Sequence, residues 1–117
     1  MKITFKTLME SLEALNELRN QNLGIYAAYI LSKNQSLINK EAEFYDKKRI
    51  EFCEKYGTLE GKSYVITDTE NFKKEITDLL NLEIDLDIKK ISISDLKEAK
   101  ISAAKFELIK YLILDEL

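Results

Sequence analysis

The feature that most constrains the fold is the segment from Leu23 to Tyr56, which holds no proline and only one glycine, Gly24. Apolar and aromatic residues recur in this segment every seven positions, at Leu31, Ile38, Tyr45 and Phe52. A flanking row widens the stripe one position earlier in each repeat, at Ile30, Leu37 and Phe44. This spacing predicts one continuous α-helix with a coiled-coil-like seam.

The predicted helix is long for the chain that carries it. At about 1.5 Å per residue, residues 25–56 would span roughly 50 Å. The chain has 117 residues, which suits a single domain over residues 1–117, and a compact domain of that size is roughly 35 Å across. We therefore expect a second chain to cover the seam, as a homodimer or a complex with another protein. The predicted oligomer seam consists of Leu31, Ile38, Tyr45 and Phe52.

The other segments predict an α+β domain that is predominantly helical and has a small antiparallel sheet. Alternating apolar and polar side chains over residues 1–6 predict a short strand. Thr7 and Glu10 have the spacing of a capping box at the start of a first helix, which we expect to end near Arg19. Gly57 is expected to end the long helix in the left-handed conformation.

The second half of the chain alternates between short strands and helices. After a turn, residues 63–67 predict a strand, and Asp68 or Thr69 is expected to cap a third helix. Residues 82–88 alternate between apolar side chains and carboxylates, which predicts a half-buried strand. Ser102 is expected to cap a C-terminal helix that is apolar nearly all round and lies in the core or in an interface.

Composition excludes most enzyme templates. The chain has no histidine, so the commonest general base and transition-metal ligand are missing. Three glycines and no proline do not supply a glycine-rich phosphate-binding loop. The single cysteine, Cys53, favours an inert packed thiol in a reducing compartment. We therefore expect no enzymatic activity, no cofactor and no metal site.

Charge and hydropathy favour a cytoplasmic protein that does not bind nucleic acid directly. The net charge is −3, whereas a generic nucleic-acid binder normally has an excess of basic residues. No stretch approaches the roughly 18 apolar residues of a membrane span. The charged start of the chain does not resemble a secretory signal.

The acidic residues of the 82–88 strand, Glu83, Asp85 and Asp87, are candidate site residues because they lie on one face. Their carboxylates would be about 7 Å apart along the strand, too far apart for one cation without ligands from other segments. A solvated, charge-protected sheet face is the simplest interpretation. If the face has a function, we expect it to dock on a basic protein surface or to mimic nucleic acid.

Two further sets of residues are candidates for binding. Lys33, Lys40 and Lys47 recur at helical spacing and could follow phosphates, but nearby acidic residues favour a plain solvated face. Tyrosine is common at protein interfaces. Among the six tyrosines, Tyr26 and Tyr29 lie beside an asparagine-rich turn and are the candidates for partner binding.

The order of several short motifs carries a resemblance. The long helix ends in the triplet KYG at 55–57, the segment NFKKE follows at 71–75, and LLNLEI leads into the acidic strand at 79–84. This order resembles a family of small uncharacterised proteins of phages and prophages of low-GC bacteria, over roughly residues 25–95. Such proteins often carry a proline where the second helix begins, whereas this chain has Leu23-Gly24.

The resemblance implies a phage accessory protein without chemistry of its own, and it transfers no site residues. One implied role is to bind and block a host defence component, such as a CRISPR effector, in the bacterial cytoplasm. The other is a structural or assembly component of the virion or its tail. A hydrolase that uses the carboxylates with Mg²⁺ is the least favoured alternative, because its ligands would have to converge from distant segments.

Overall fold

The computed structural model describes residues 1–114 and is mixed α+β and predominantly helical, as predicted. Its helices are α1 (Phe5–Arg19), α2 (Ile25–Tyr56), α3 (Thr69–Leu80) and α4 (Ala103–Leu108). Its short strands are β1 (Lys2–Thr4), β2 (Gly57–Glu60), β3 (Ser63–Ile66), β4 (Glu83–Asp85), β5 (Ile91–Ser92) and β6 (Ile113–Leu114). Two 3₁₀ turns cover Ile93–Leu96 and Lys110–Leu112.

Helix α2 is the spine of the molecule and is unbroken, which confirms the prediction from the heptad spacing. The molecule measures 49 × 28 × 24 Å, so its long dimension matches the roughly 50 Å expected for a helix of this length. Its radius of gyration is 16.9 Å, well above the roughly 13 Å of a compact chain of similar size. The fold is therefore elongated along α2.

Two apolar clusters line the spine. The larger cluster joins α1, the first half of α2 and the segment from 86 to 113, and its fully buried members include Leu15, Leu31, Ile38, Ile91 and Leu112. The smaller cluster centres on Phe5, Tyr45 and Leu79, where α3 packs against the second half of α2. Phe5 also contacts Phe44, with ring centroids 6.0 Å apart.

The predicted oligomer seam is wrong, because the chain covers it with its own residues. Leu31, Ile38 and Tyr45 are buried within one chain, and Phe52 is partly buried against the smaller cluster. The prediction assumed a compact domain that a long helix would outrun. The remaining elements instead lie along the whole length of α2 and cover the seam in both halves of this helix.

The described strands form three two-stranded sheets rather than one small antiparallel sheet. Strands β1 and β4 pair antiparallel, as do β2 and β3, whereas β5 and β6 pair parallel. The first pair joins the N-terminus to the acidic segment. Residues 86–90 continue from β4 without regular structure and without a turn or bend.

Local geometry corrects two sequence predictions in the first 66 residues. Helix α1 begins at Phe5, because the Thr4 hydroxyl, not Thr7, caps it by accepting from the Thr7 amide. Gly57 has an extended backbone (φ −150°, ψ −174°) and opens β2. The left-handed glycine is Gly61, with φ 65° in the loop of the β2–β3 hairpin.

The second half of the chain is closest to prediction in α3. Asp68 caps this helix by accepting from the Asn71 amide, and Asn81 follows its last residue. Strand β4 covers only three residues of the predicted 82–88 strand, although Leu86 is buried as expected. Ser102 caps α4 as predicted, but this helix ends at Leu108, and the chain continues as a 3₁₀ turn and β6. The C-terminal segment lies in the core as predicted, through Ile109, Leu112 and Ile113, but most of that burial falls outside the helix.

Candidate functional site

The first turn of α2 exposes an aromatic surface formed by Ile25, Tyr26 and Tyr29. Their side chains are 89%, 53% and 59% exposed, respectively. Two lysines border the rings: Lys33 Nζ lies 5.5 Å from the Tyr29 centroid, and Lys89 Nζ lies 5.2 Å from the Tyr26 centroid. The prediction singled out both tyrosines. It did not pair them with lysines, although the four-residue spacing from Tyr29 to Lys33 indicates one helix face.

Lys89 connects the aromatic surface to the segment after β4. The interaction with the Tyr26 side chain is the main cause that raises the pKa of Lys89 above its usual range. Lys89 therefore carries its positive charge at neutral pH. The contact places the ammonium of Lys89 beside Tyr26, at the end of the segment that carries the predicted carboxylates.

A buried asparagine fixes the backbone of Lys89. Asn34 is 1% exposed, and its Nδ2 donates to the Lys89 carbonyl oxygen at 2.8 Å while its Oδ1 accepts from the Lys89 amide at 3.0 Å. Both polar atoms of the Asn34 amide are thus satisfied inside the fold. The polar residue that interrupts the apolar rows of α2 is therefore the one that holds the neighbouring segment.

A groove of about 750 Å³ lies between α2 and the 86–90 segment. Its walls carry apolar, polar and charged side chains: Ile30, Lys33, Asn34, Ser36, Leu37, Asp87, Ile88 and Lys89. Because Lys33 and Lys89 also contact the two tyrosines, the groove opens beside the aromatic surface. Concave sites that combine apolar walls with a few polar groups are where proteins commonly bind partners and ligands.

The three predicted acidic residues lie in sequence along β4 and its continuation, and all three are exposed. Asp87 lines the groove, together with Lys33 and Lys89, the two lysines that border the aromatic surface. Asp85 Oδ1 accepts from the terminal ammonium of Met1 at 3.1 Å, while its side chain remains 73% exposed. Glu83 lies two residues before Asp85, at the other end of β4. Within residues 1–114, no three carboxylates or thiols are close enough to hold a metal ion.

A smaller groove of about 330 Å³ lies between the second half of α2 and α3. Phe44 and Leu82 are its most exposed apolar residues, at 45% and 49%. Ile30, Leu37 and Phe44 are seven residues apart on α2, so both grooves lie on the same side of this helix. The sequence indicated this row, but the path of the chain that forms the opposite wall was not predictable.

The lysine row and the cysteine have ordinary structural surroundings. Lys33, Lys40 and Lys47 are exposed, and only Lys33 takes part in the candidate site. Cys53 is buried near the C-terminal end of α2, as expected for a packed thiol. On the same helix, Lys48 Nζ forms an ion pair with Glu51 Oε2 at 3.1 Å.

Comparison with known proteins finds no matching family model, curated protein or solved structure. No helix within residues 1–114 has the length and apolar character needed to cross a membrane. The candidate site is therefore defined by geometry: an aromatic surface with two lysines, an adjoining groove, and an acidic strand that leads into it.

Proposed function

We propose that this chain acts by binding another protein, as an accessory protein of phage or prophage origin that has no reaction of its own. The observation that carries the proposal is the aromatic surface of Ile25, Tyr26 and Tyr29, which opens onto the larger groove. Ile25 is 89% exposed beside two tyrosines, so the free energy that burial of its side chain would contribute is not gained in the isolated chain. Tyrosines next to a groove are typical anchors of protein interfaces.

The aromatic surface needs neighbouring surface to form a stable complex. A standard interface covers about 800 Å² on each partner, more than three partly exposed side chains supply. The larger groove and the exposed acidic residues Glu83, Asp85 and Asp87 extend the available area. A partner that covers all three features would place apolar groups against the tyrosines and basic groups against the carboxylates.

The exposed carboxylates of Glu83, Asp85 and Asp87 favour a host protein as the partner over a protein of the virion. Host defence proteins that handle nucleic acid carry basic grooves, and a small acidic protein in the same cytoplasm is complementary to such a surface. We therefore propose inhibition of a host defence system, in the manner of an anti-CRISPR protein, as the specific role. The resemblance to small phage proteins also supports a role inside an infected bacterial host.

The test is affinity purification of the tagged chain from infected cells of a low-GC host, followed by mass spectrometry. We expect enrichment of a nucleic-acid-binding defence protein, and inhibition of its activity by the purified chain. The variant Tyr26→Ala/Tyr29→Ala should lose this enrichment. The matched control Leu59→Ala/Val65→Ala, which changes exposed apolar residues of the β2–β3 hairpin, should retain it.

The same experiment separates the alternatives. Specific recovery of tail or capsid proteins would replace the inhibitor with an assembly role. Equal recovery of the partner by the tyrosine variant and the hairpin variant would refute the aromatic surface as the binding site.

A further inference from the structure

Strand β4 has one paired edge and one open edge. The Leu86 amide donates to the Met1 carbonyl oxygen at 2.8 Å, and the Phe5 amide donates to the Leu82 carbonyl oxygen at 3.1 Å. Hydrogen-bonded pairs alternate in an antiparallel ladder, so the backbone N–H and C=O of Ile84 also point toward β1. The backbone groups of Glu83 and Asp85 must then point to the opposite edge. Within the described residues this sheet has two strands, and nothing pairs with that edge.

The open edge continues toward the larger groove. Residues 86–90 have no turn or bend, and their side chains alternate between buried or half-buried and exposed as far as Lys89, as in β4. An extended path with this alternation places the backbone groups of Asp87 and Lys89 on the side that Glu83 and Asp85 use. At Lys89 the Asn34 amide takes both the N–H and the C=O. An asparagine amide has the donor and acceptor of a peptide group, so Asn34 acts there as a neighbouring strand would. Before Lys89, no residue among 1–114 hydrogen-bonds to the backbone groups on that side.

We propose that the groove receives an extended cationic segment of the partner protein, which adds as a strand along the open edge from Glu83 to Asp87. Unpaired N–H and C=O groups at a sheet edge are a template for strand addition. The edge residues Glu83, Asp85 and Asp87 carry exposed carboxylates on one face. Lysine or arginine at alternate positions of the added strand would lie beside these carboxylates.

The intervening side chains of the added strand face the groove. Leu37 and Ile88 form part of its apolar wall, so apolar residues between the basic ones bury surface there. Lys33 and Lys89, which are held against the tyrosine rings, mark the end of the acidic surface. The complementary sequence therefore alternates basic and apolar residues, with the basic ones toward Glu83.

A second copy of the chain does not fit the same edge. Two β4 strands paired across a two-fold axis would place Glu83, Asp85 and Asp87 beside their own counterparts. Like charges directly opposite each other in neighbouring strands oppose pairing, and such carboxylates protect edges from self-association. A basic segment of a different protein would pair with the backbone N–H and C=O groups of this edge and would also place positive charges beside its carboxylates.

This inference rests on the proposed protein-binding function and gives the chemistry of the partner. The first test uses a fluorescent eight-residue peptide of alternating lysine and valine with blocked ends, titrated into the full chain and followed by anisotropy. We expect saturable binding with Kd below about 1 mM, with shifts of the Glu83 and Asp85 amide resonances. The same peptide N-methylated on one edge should bind at least about tenfold more weakly, since its hydrogen-bonding edge is blocked.

Charge reversal provides the second test. The variant Glu83→Lys/Asp87→Lys should bind the lysine–valine peptide at least about tenfold more weakly and should gain binding to a glutamate–valine peptide. This reciprocal gain shows that the variant is folded. The control Glu60→Lys/Glu98→Lys reverses two exposed carboxylates elsewhere and should bind the lysine–valine peptide as the wild type does.

Three results would overturn the inference: no binding of the lysine–valine peptide, equal binding of its N-methylated form, or equal loss in the control variant. Its failure is distinguishable from failure of the proposed function. A host protein that is captured equally by wild type and by Glu83→Lys/Asp87→Lys, but not by the tyrosine variant, refutes strand addition while the binding function stands. Binding of the peptide without capture of any host or phage protein refutes the proposed function.

Discussion

At the scale of single residues, Asn34 joins two segments that are far apart in sequence. It lies in the middle of a long helix, where an exposed asparagine would weaken helix formation slightly. Instead it is buried and binds both backbone groups of Lys89, a residue 55 positions away in sequence. One side chain thereby sets the distance between α2 and the segment that forms the opposite wall of the groove.

Replacement of this asparagine tests its role. We expect Asn34→Ala to lower the free energy of unfolding by about 1–3 kcal/mol, because the Lys89 N–H and C=O lose their buried partner. Urea denaturation measures the change, and hydrogen exchange should show a less protected Lys89 amide. Asn39→Ala is the matched control, since Asn39 is exposed on the same helix, and it should cost no more than about 0.5 kcal/mol. Equal losses in the two variants would contradict this account.

Tyr111 is partly buried, and the ionisation of its hydroxyl should be visible in the stability of the fold. Its Oη lies 2.7 Å from Ser11 Oγ. Burial raises the pKa of Tyr111 above its usual 10.0, although the Ser11 hydrogen bond acts in the opposite direction. Because the folded-state value is the higher one, the neutral phenol stabilises the fold below the unfolded-state pKa. That stability is lost as pH rises from about 10 through the folded-state value.

We therefore expect Tyr111→Phe to flatten the fall in unfolding free energy above pH 10, measured by urea denaturation between pH 7 and 11. Ser11→Ala removes the hydrogen bond and keeps the phenol, so this control should still lose stability in the alkaline range. A slope that is unchanged in Tyr111→Phe would show that Tyr111 ionises equally readily in the folded and unfolded states.

At the scale of elements, Gly57 couples the end of α2 to the β2–β3 hairpin through close packing. A Cβ atom at this position would lie 2.5 Å from the Val65 carbonyl oxygen and 2.9 Å from the Cys53 carbonyl oxygen. Both neighbours are backbone atoms, which cannot move without disturbing the ladder or the helix. The glycine is required by proximity and not by a left-handed conformation, which is why the sequence pattern alone suggested the wrong reason for it.

We expect Gly57→Ala to cost about 1–3 kcal/mol through overpacking, measured by thermal or urea unfolding. Gly24→Ala is the control at the other end of the same helix, because an added Cβ there meets nothing within 4 Å. It should change stability by less than about 1 kcal/mol. A tolerant Gly57 would mean that the hairpin is not held tightly against α2.

Elements whose signals are local were predictable from the sequence. The heptad spacing gave α2, and Asp68 and Asn81 bounded α3 correctly. The pairing of β1 with β4 and of β5 with β6 joins residues far apart in sequence, which no local period encodes. For the same reason, the exposure of Tyr26, Tyr29 and the acidic strand could be anticipated, whereas the groove could not, since it depends on Asn34 contacting Lys89.

At the scale of the whole molecule, the shape follows from wrapping short elements along one long helix. The first half of α2 packs against α1 and the C-terminal segment, and the second half packs against α3 and the hairpin. Each half buries its part of the seam locally. The side of α2 that carries Ile30, Leu37 and Phe44 remains open in two grooves, so the unoccupied surface lies beside the seam and not on it.

This arrangement predicts that the isolated chain is an elongated monomer. Small-angle scattering of a dilute solution should give a radius of gyration near 16.9 Å, clearly above roughly 13 Å, with the mass of one chain. The unfolding midpoint should not depend on protein concentration, whereas that of an obligate dimer would. Ile38→Ala should destabilise the monomer by about 2–5 kcal/mol, because Ile38 is fully buried within it. Phe44→Ala should cost less, since that ring is 45% exposed. A dimer that Ile38→Ala converts into a folded monomer would instead restore the seam as an interface between chains.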